Sequence, residues 1–213
     1  MLTNGHLRAR FVDNTSRLCA KLAFCDFGAV TDPPSADVTA HVLETMAHEG
    51  RDDEPASRRA LHWLLREQEA DGSWFGRWGA NHVYGTGSVL PALAASGLRD
   101  HASVARGVDW LASVQNPSGG FGEDLRSYRD ASWRGRGAST ASQTAWALIG
   151  LHAAGEDGPV TSRAIRYLVE TELPGGGWDE PNFTGTGFPG DFYLNYHLYR
   201  DVFPVMALAR VLA

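Results

Sequence analysis

The sequence predicts an all-α fold built from stacked helical hairpins. Three segments repeat the same residue types at the same spacing, and no segment shows the apolar–polar alternation of a half-buried strand. Each copy begins with helix-face spacing and ends in a glycine-rich stretch, which is typical of a helix end. Hairpins of this kind bury their apolar faces by stacking on neighbouring hairpins.

The repeated segments are RALHWLLREQEADGSW, RGVDWLASVQNPSGGF and RAIRYLVETELPGGGW, which begin at Arg59, Arg106 and Arg163. In each copy an aromatic residue follows the arginine by four positions, Gln or Glu follows five later, and a last aromatic follows after six more. The arginine and the first aromatic share a helix face. The copies are offset by 47 and then 57 residues. A second helix is predicted after each copy, over about Gly87–Ser96, Ser139–Ala154 and Asn195–Ala213.

The composition restricts the class of partner. Hydrophobic residues are 43% and charged residues 21%, as in an ordinary globular protein. The net charge of −6 argues against a nucleic-acid partner, because binding phosphates requires clustered Lys and Arg. Cys19 and Cys25 are too few for a disulfide scaffold or a four-cysteine zinc site, which favours a reducing, cytoplasmic location. No run approaches the ~18 apolar residues of a membrane-spanning helix, and the first ten residues contain no hydrophobic signal region.

The repeat resembles the QW motif of the class II triterpene cyclases. Longer strings in the family's order narrow the resemblance to squalene–hopene cyclases; they include FCDFGAVTDPPSADVTAHVLE, DGSWFGRWGANHVYGTG, GASTASQTAWAL and GGGWDEPNFTGTGFPGDFYLNYHLYRDVFPVMALAR. The resemblance implies an α/α barrel of QW hairpins, which is incomplete in this chain. Residues 1–213 are interpreted as the C-terminal portion of the catalytic barrel, with residues 1–12 as a non-homologous start.

The resemblance gives the QW residues a structural role. In the family, these segments tie outer helices together, so this role is expected of Gln68, Gln115, Trp74, Phe121 and Trp178. The sequence departs from the family twice. Phe121 stands where tryptophan is usual, and Glu172 stands where glutamine is usual. Each departure is expected to loosen one tie.

The resemblance also implies a reaction. Such cyclases protonate a terminal alkene of squalene and direct a carbocation through ring closures to hopene or hopanol. That chemistry needs a strong acid, a dry cavity and π faces, and no metal or other cofactor is expected. By resemblance the cavity aromatics are Trp78 and Tyr84 near the first rings, and then Phe188, Phe192, Tyr196 and Tyr199. From spacing alone the last four indicate a helical core stripe instead.

A carboxylate and a histidine lie close together in the string PPSADVTAHVLE. Ser35 is a predicted N-cap, and Asp37 and His41 then share a face of the first turns. Spacing alone favours a helix-terminus carboxylate and a bystander histidine. By resemblance His41 contacts the catalytic acid and Asp37 orients His41, while Tyr84 helps to return a proton to the acid. A cationic imidazole favours proton loss from a neighbouring acid.

The resemblance assigns two further residues to a channel. Phe24 and Cys25 match the residues that line the gate between membrane and cavity. A peripheral, monotopic contact with the inner face of the cell membrane is therefore expected of the full enzyme. Cys25 alone is typical of a small buried hydrophobic residue.

The proton donor of the family is missing from this chain. It lies in an Asp-x-Asp-Asp motif, and the sequence has none; Asp52, Asp53 and Glu54 are acidic but fall in a polar connection. Activity is expected to require the missing N-terminal part or a partner chain. Three interpretations follow: the C-terminal piece of a cyclase, one chain of a split cyclase, or a non-catalytic helical-repeat module that binds isoprenoids or a partner.

Overall fold

Seven α-helices form most of residues 34–189 and 192–212, the part of the chain that this computed structural model describes. They are α1 Ala36–His48, α2 Pro55–Arg66, α3 His82–Leu93, α4 Ala102–Val114, α5 Ala141–Ala153, α6 Pro159–Thr171 and α7 Tyr199–Leu212. The prediction of a helical fold is confirmed. The predicted second helices correspond to α3, α5 and α7, although α3 begins earlier than predicted and α7 later.

The helices between Ala36 and Leu212 form two layers. In the first layer α1, α3, α5 and α7 pack side by side in chain order. In the second layer α2 packs on α1, α4 packs on α3 and α5, and α6 packs on α5. The helices α3 and α5 consist mainly of small or apolar residues, and both are buried on nearly every side. By contrast, α2 and α6 bury only one stripe, and their charged faces meet solvent.

The glutamines of the repeat join consecutive hairpins. The Gln68 side-chain amide donates to the carbonyl oxygens of Gly72 and Ser103, each at 2.8 Å. Gln115 repeats this arrangement with the carbonyl oxygens of Gly119 and Val160, again at 2.8 Å. Each glutamine therefore links the end of one second-layer helix to the beginning of the next. The side-chain oxygens of the same glutamines accept from the repeat arginines, Arg106 and Arg163 respectively.

The glycine of the repeat is required by a close approach. Gly72 has a φ of 99° and Gly119 a φ of 89°, in the left-handed region where side chains are strained. A Cβ on either glycine would lie 2.6 Å from the carbonyl oxygen of the arginine that begins the next copy. The third copy has no following copy in this chain, and a Cβ on Gly176 would meet nothing within 4 Å.

The last aromatic of the repeat closes each hairpin from inside. The indole nitrogens of Trp74 and Trp178 donate to the carbonyl oxygens of Leu64 and Leu168, both at 2.8 Å. Phe121 fills the same buried position in the second copy but has no N–H to donate. One tie is thus weaker there by a hydrogen bond. Glu172, the other departure, is exposed at the end of α6.

Two buried glutamates cap helices of the first layer. The Glu123 carboxylate accepts from the backbone N–H of Val83 at 2.8 Å, at the beginning of α3. The Glu180 carboxylate accepts from the backbone N–H of Ser142 at 2.8 Å, at the beginning of α5. Each glutamate lies two positions after the last aromatic of its repeat. A negative charge at a helix N-terminus satisfies free N–H groups and complements the helix dipole.

The connection before α7 corrects the sequence interpretation. It contains a short antiparallel hairpin, β1 Gly185–Phe188 and β2 Phe192–Leu194, where no sheet was predicted. The interpretation of the segment from Phe188 to Tyr199 as a helical stripe was wrong. Phe188 and Phe192 are paired strand residues, and α7 begins only at Tyr199. The physical reason is a long-range pairing, since Gly185 also bridges to Gly79 in another connection.

Candidate active site

The short connection before α3, residues 75–81 and here called the site loop, is fixed through its backbone. The Trp78 N–H donates to Oδ2 of Asp37 at 2.9 Å. The Trp78 carbonyl oxygen accepts from the N–H of Thr186, in β1, at 3.1 Å. The backbone of Trp78 is therefore held between α1 and β1, while its side chain is 38% exposed. An exposed ring on a fixed backbone is suited to contact a ligand.

A buried arginine brings two predicted substrate rings together. Arg77 is 5% exposed, and its Cζ lies 4.6 Å from the ring centroid of Trp78 and 5.5 Å from that of Phe188. Both distances are within the range of cation–π attraction. Phe192 faces Phe188 across the β-hairpin and is exposed. The structure thus places Trp78, Phe188 and Phe192 in one group, and Arg77 is a member that the sequence did not indicate.

Asp37 and His41 make different contacts. Asp37 is fully buried and accepts from the Trp78 N–H, so it anchors the site loop. His41 is exposed, and its Nε2 lies 3.3 Å from the hydroxyl oxygen of Tyr84. Within the described residues, the hydrogen bonds of these two side chains go to Trp78 and Tyr84 rather than to each other. The expected orientation of His41 by Asp37 stays a prediction.

Tyr84 begins a chain of aromatic contacts. Its ring meets the buried Trp146 ring edge to face, with centroids 4.7 Å apart. Trp146 also meets Tyr199 at 5.7 Å and Phe203 at 5.3 Å. Tyr196 lies 4.7 Å from Tyr199. Sequence reasoning missed Trp146 and Phe203. Residues on nearly every side of α5 are buried, so its periodicity gave no signal for Trp146.

A cavity of about 110 Å³ lies beside the His41–Tyr84 pair. Its wall includes Trp146, Phe203 and the ion pair between Glu44 and Arg210, whose atoms are 3.5 Å apart. Pockets for drug-sized ligands are larger, at ~300–1,000 Å³. The cavity is therefore too small for a triterpene, and the residues that surround it form one wall of a larger site at most.

Burial raises the pKa of the Tyr84 hydroxyl, and the negative charge of Asp37 raises it further. Burial likewise raises the pKa of Tyr199, with added contributions from Tyr196 and Asp37. Both phenols accordingly remain protonated at neutral pH. Tyr84 can then donate a hydrogen bond to the neighbouring His41 or accept one from it.

Alkaline solution is expected to destabilise the fold through Tyr84. An unfolded tyrosine titrates near pH 10 and the folded one titrates higher, so the stabilisation is complete below pH 10 and falls as pH rises above it. The loss is about 1.4 kcal/mol per pH unit between the two pKa values. Urea unfolding of wild type and Tyr84→Phe across this range measures it, and parallel curves would contradict the prediction.

The remaining predicted residues, Phe24 and Cys25, lie outside the described residues. The other aromatic candidates fall into two groups, one around Arg77 and one around Trp146. Their roles toward a substrate stay predictions. Among the described helices, none combines the length and the apolar character needed to cross a bilayer.

Comparison with known proteins identifies the family of this chain. A family profile described as the squalene–hopene cyclase C-terminal domain matches residues 2–213. The chain belongs to the squalene–hopene cyclase family. It is 56% identical over 211 residues to the squalene–hopene cyclase of Alicyclobacillus acidocaldarius, covering 98% of this chain and 33% of that protein. It is also 42% identical to a dammaradiene synthase from Dryopteris crassirhizoma, covering 93% of this chain and 33% of the relative.

A solved cyclase structure agrees with the fold. The ent-copalyl diphosphate synthase from Streptomyces platensis superposes with a TM-score of 0.64 at 26% identity, over 88% of this chain and 35% of that one. The predicted all-α, α/α-barrel class is confirmed. The chain spans about a third of the length of these cyclase relatives.

Proposed function

We propose that this chain forms the C-terminal part of the catalytic barrel of a cyclase that converts squalene into hopene or hopanol. The observation that carries the proposal is the convergence of π faces with a histidine–tyrosine pair. His41 and Tyr84 are hydrogen-bonded, and Tyr84 is the first member of a continuous row of aromatic rings. Family membership supports the same chemistry.

The proposed reaction is a proton-initiated polycyclisation. An acid transfers its proton to a terminal alkene of squalene, so a C–H bond forms and a tertiary cation is left. Each following alkene donates its π electrons to that cation, closing a ring and moving the charge along the chain. Loss of a proton from carbon ends the sequence as hopene. Addition of water to the cation, followed by loss of a proton from the added water, ends it as hopanol. No metal or redox cofactor enters the balance.

The residues of this chain have separate roles in that sequence. His41, when cationic, stabilises the carboxylate that remains after proton transfer. Tyr84 hydrogen-bonds to His41 and helps to return a proton to the acid. Trp78 stabilises early cations, while Phe188, Phe192, Tyr196 and Tyr199 stabilise later ones. An aromatic face is suited to this task because it attracts a cation without acting as a nucleophile.

The proton donor in this proposal comes from outside the chain. The sequence has no Asp-x-Asp-Asp motif, so the remaining two-thirds of a cyclase, on the same or another polypeptide, supplies the acid. We further propose that the complete enzyme works at the cytoplasmic face of the cell membrane, where its hydrocarbon substrate is dissolved. Phe24 and Cys25 are then part of the entry path.

Supplying the missing part tests the proposal. The chain is expressed alone and, separately, fused behind the first two-thirds of the Alicyclobacillus acidocaldarius cyclase, to which it is 56% identical over the matched third. Each protein is incubated with squalene, and products are separated by gas chromatography with mass spectrometry. Polycyclic product is expected from the fusion and none from the chain alone.

Two other results would contradict the proposal. A folded fusion that binds squalene without converting it indicates an isoprenoid-binding module. Product from the chain alone shows that the acid lies within residues 1–213. Circular dichroism and a thermal melt establish that the fusion is folded.

A further inference from the structure

The connections of the first two repeats differ in length. Seven residues separate Trp74 from α3, whereas nineteen separate Phe121 from α5. The longer connection contains two 3-10 turns, Leu125–Tyr128 and Ala131–Trp133. Neither the repeat nor the proposed chemistry requires this added length. Its contacts show what it does.

Tyr128, at the end of the first of these turns, contacts the site loop. Its hydroxyl oxygen lies 2.8 Å from the carbonyl oxygen of Gly79 and 3.2 Å from that of Gly76. Its ring also meets the ring of Phe75 edge to face, with centroids 5.7 Å apart. The two carbonyls lie on either side of Trp78, so one hydroxyl group bridges the backbone around that tryptophan.

The turn that carries Tyr128 is itself well anchored. Asp124 is its N-cap residue, and the Asp124 Oδ1 accepts from the Arg126 N–H at 2.9 Å. The hydroxyl of Ser127 accepts from the Asn81 side-chain amide at 3.2 Å, at the end of the site loop. The Asp124 cap therefore fixes the turn that carries Tyr128, and the Ser127–Asn81 bond is a second link between this turn and the site loop.

The site loop is held by two side chains from other parts of the chain. Asp37 accepts from the Trp78 N–H, and the single O–H of Tyr128 is shared between the carbonyl oxygens of Gly79 and Gly76. The loop has little space in which to shift, because even a Cβ on Gly79 would lie 2.5 Å from the Tyr84 ring. Removal of the Tyr128 hydroxyl leaves both carbonyls without this donor.

We infer that Tyr128 is a positioning residue, which fixes the site loop so that the Trp78 ring keeps a constant position in its group with Arg77 and Phe188. The inference rests on the proposed function for its chemical consequence. A cation whose stabilising ring is displaced loses a proton before the next ring closes. The second connection then sets how far cyclisation proceeds, without itself contacting the substrate.

Amide hydrogen exchange tests the positioning without any need for activity. Tyr128→Phe is compared with Tyr167→Phe, in which the lost hydroxyl donates to the Ser139 carbonyl at 3.1 Å, away from the site loop. Loss of one buried hydrogen bond is expected to speed exchange in residues 76–81 about fivefold in Tyr128→Phe. Tyr167→Phe is expected to leave this segment unchanged. Equal exchange of residues 76–81 in both variants would overturn the inference.

Product analysis in the fusion protein tests the chemical consequence. With Tyr128→Phe, the share of partly cyclised products is expected to rise severalfold, whereas total consumption of squalene falls less. Tyr167→Phe is expected to give the wild-type product ratio. An unchanged ratio in an active Tyr128→Phe fusion would overturn the inference. If the unsubstituted fusion makes no product, the proposed function fails, and hydrogen exchange still decides whether Tyr128 holds the loop.

Discussion

Replacing His41 by alanine is expected to lower the turnover of the assembled enzyme about 100-fold. In the proposed mechanism, a cationic imidazole stabilises the carboxylate that the acid becomes after proton transfer. His62 is a matched control because it is also an exposed histidine on a helix. Its Nδ1 lies 2.6 Å from the carbonyl oxygen of Arg58, on the surface of α2. Initial rates of product formation by the two fusion variants measure the difference.

The outcome separates chemistry from folding. Both histidines are solvent-exposed, so thermal melts of the two variants are expected to agree with wild type. His41→Ala is expected to change the rate rather than the substrate affinity, because a hydrocarbon offers the imidazole no hydrogen bond. Equal turnover of the two folded variants would contradict the prediction and show that His41 has no role in catalysis.

Asp37→Asn is expected to lower turnover by a different route. Asparagine keeps an oxygen that accepts from the Trp78 N–H, so the site loop stays anchored while the negative charge is lost. The loss of charge then weakens the stabilisation of a cationic His41, one helical turn away. Turnover of the fusion, with hydrogen exchange of residues 76–81 as the control, measures this. A slower enzyme whose loop also exchanges faster would show that anchoring, and not charge, is what matters.

Gly87→Ala is expected to destabilise the chain by about 3 kcal/mol. A Cβ at Gly87 would lie 2.4 Å from the carbonyl oxygen of Trp146. In α5, a Cβ on Gly150 would likewise lie 2.9 Å from the Cα of Gly87. The helices α3 and α5 would have to separate, because the obstruction is backbone. Urea unfolding followed by circular dichroism gives the free energy.

Gly175→Ala is the control for this substitution. A Cβ at Gly175 meets nothing within 4 Å, so its free energy of unfolding is expected to stay within about 0.5 kcal/mol of wild type. Similar unfolding midpoints for the two variants would mean that α3 and α5 can move apart without cost.

The hairpins could be predicted from sequence because their signals are local. An arginine, an aromatic and a glutamine at fixed spacing determine one helix and its end, and the structure places these ties between successive copies. The prediction for the segment from Phe188 to Tyr199 was wrong because the structure of this segment depends on non-local contacts. Its strands pair with each other and reach the site loop through Gly79, and a pairing over that sequence distance leaves no periodic trace.

The candidate site was predictable only in part. Resemblance indicated Trp78, Tyr84 and His41, and the structure brings His41 and Tyr84 within hydrogen-bonding distance. Arg77 and Tyr128 were not indicated. Arg77 is buried and contacts Phe188, and Tyr128 contacts Gly79, and both neighbours are distant in sequence. An arginine and a tyrosine in polar connections are ordinary features of a sequence until their neighbours are known.

The joints between repeats consist mainly of side chains that bind backbone. Gln68 and Gln115 donate to carbonyl oxygens of the following copy, and Glu123 and Glu180 accept from N–H groups of the preceding one. Every residue type offers a carbonyl oxygen, and all but proline offer an N–H. A neighbouring repeat can therefore change most of its side chains without a compensating change across the joint. Paired substitution is needed chiefly where an arginine meets the glutamine, which leaves each hairpin free to diverge on its own.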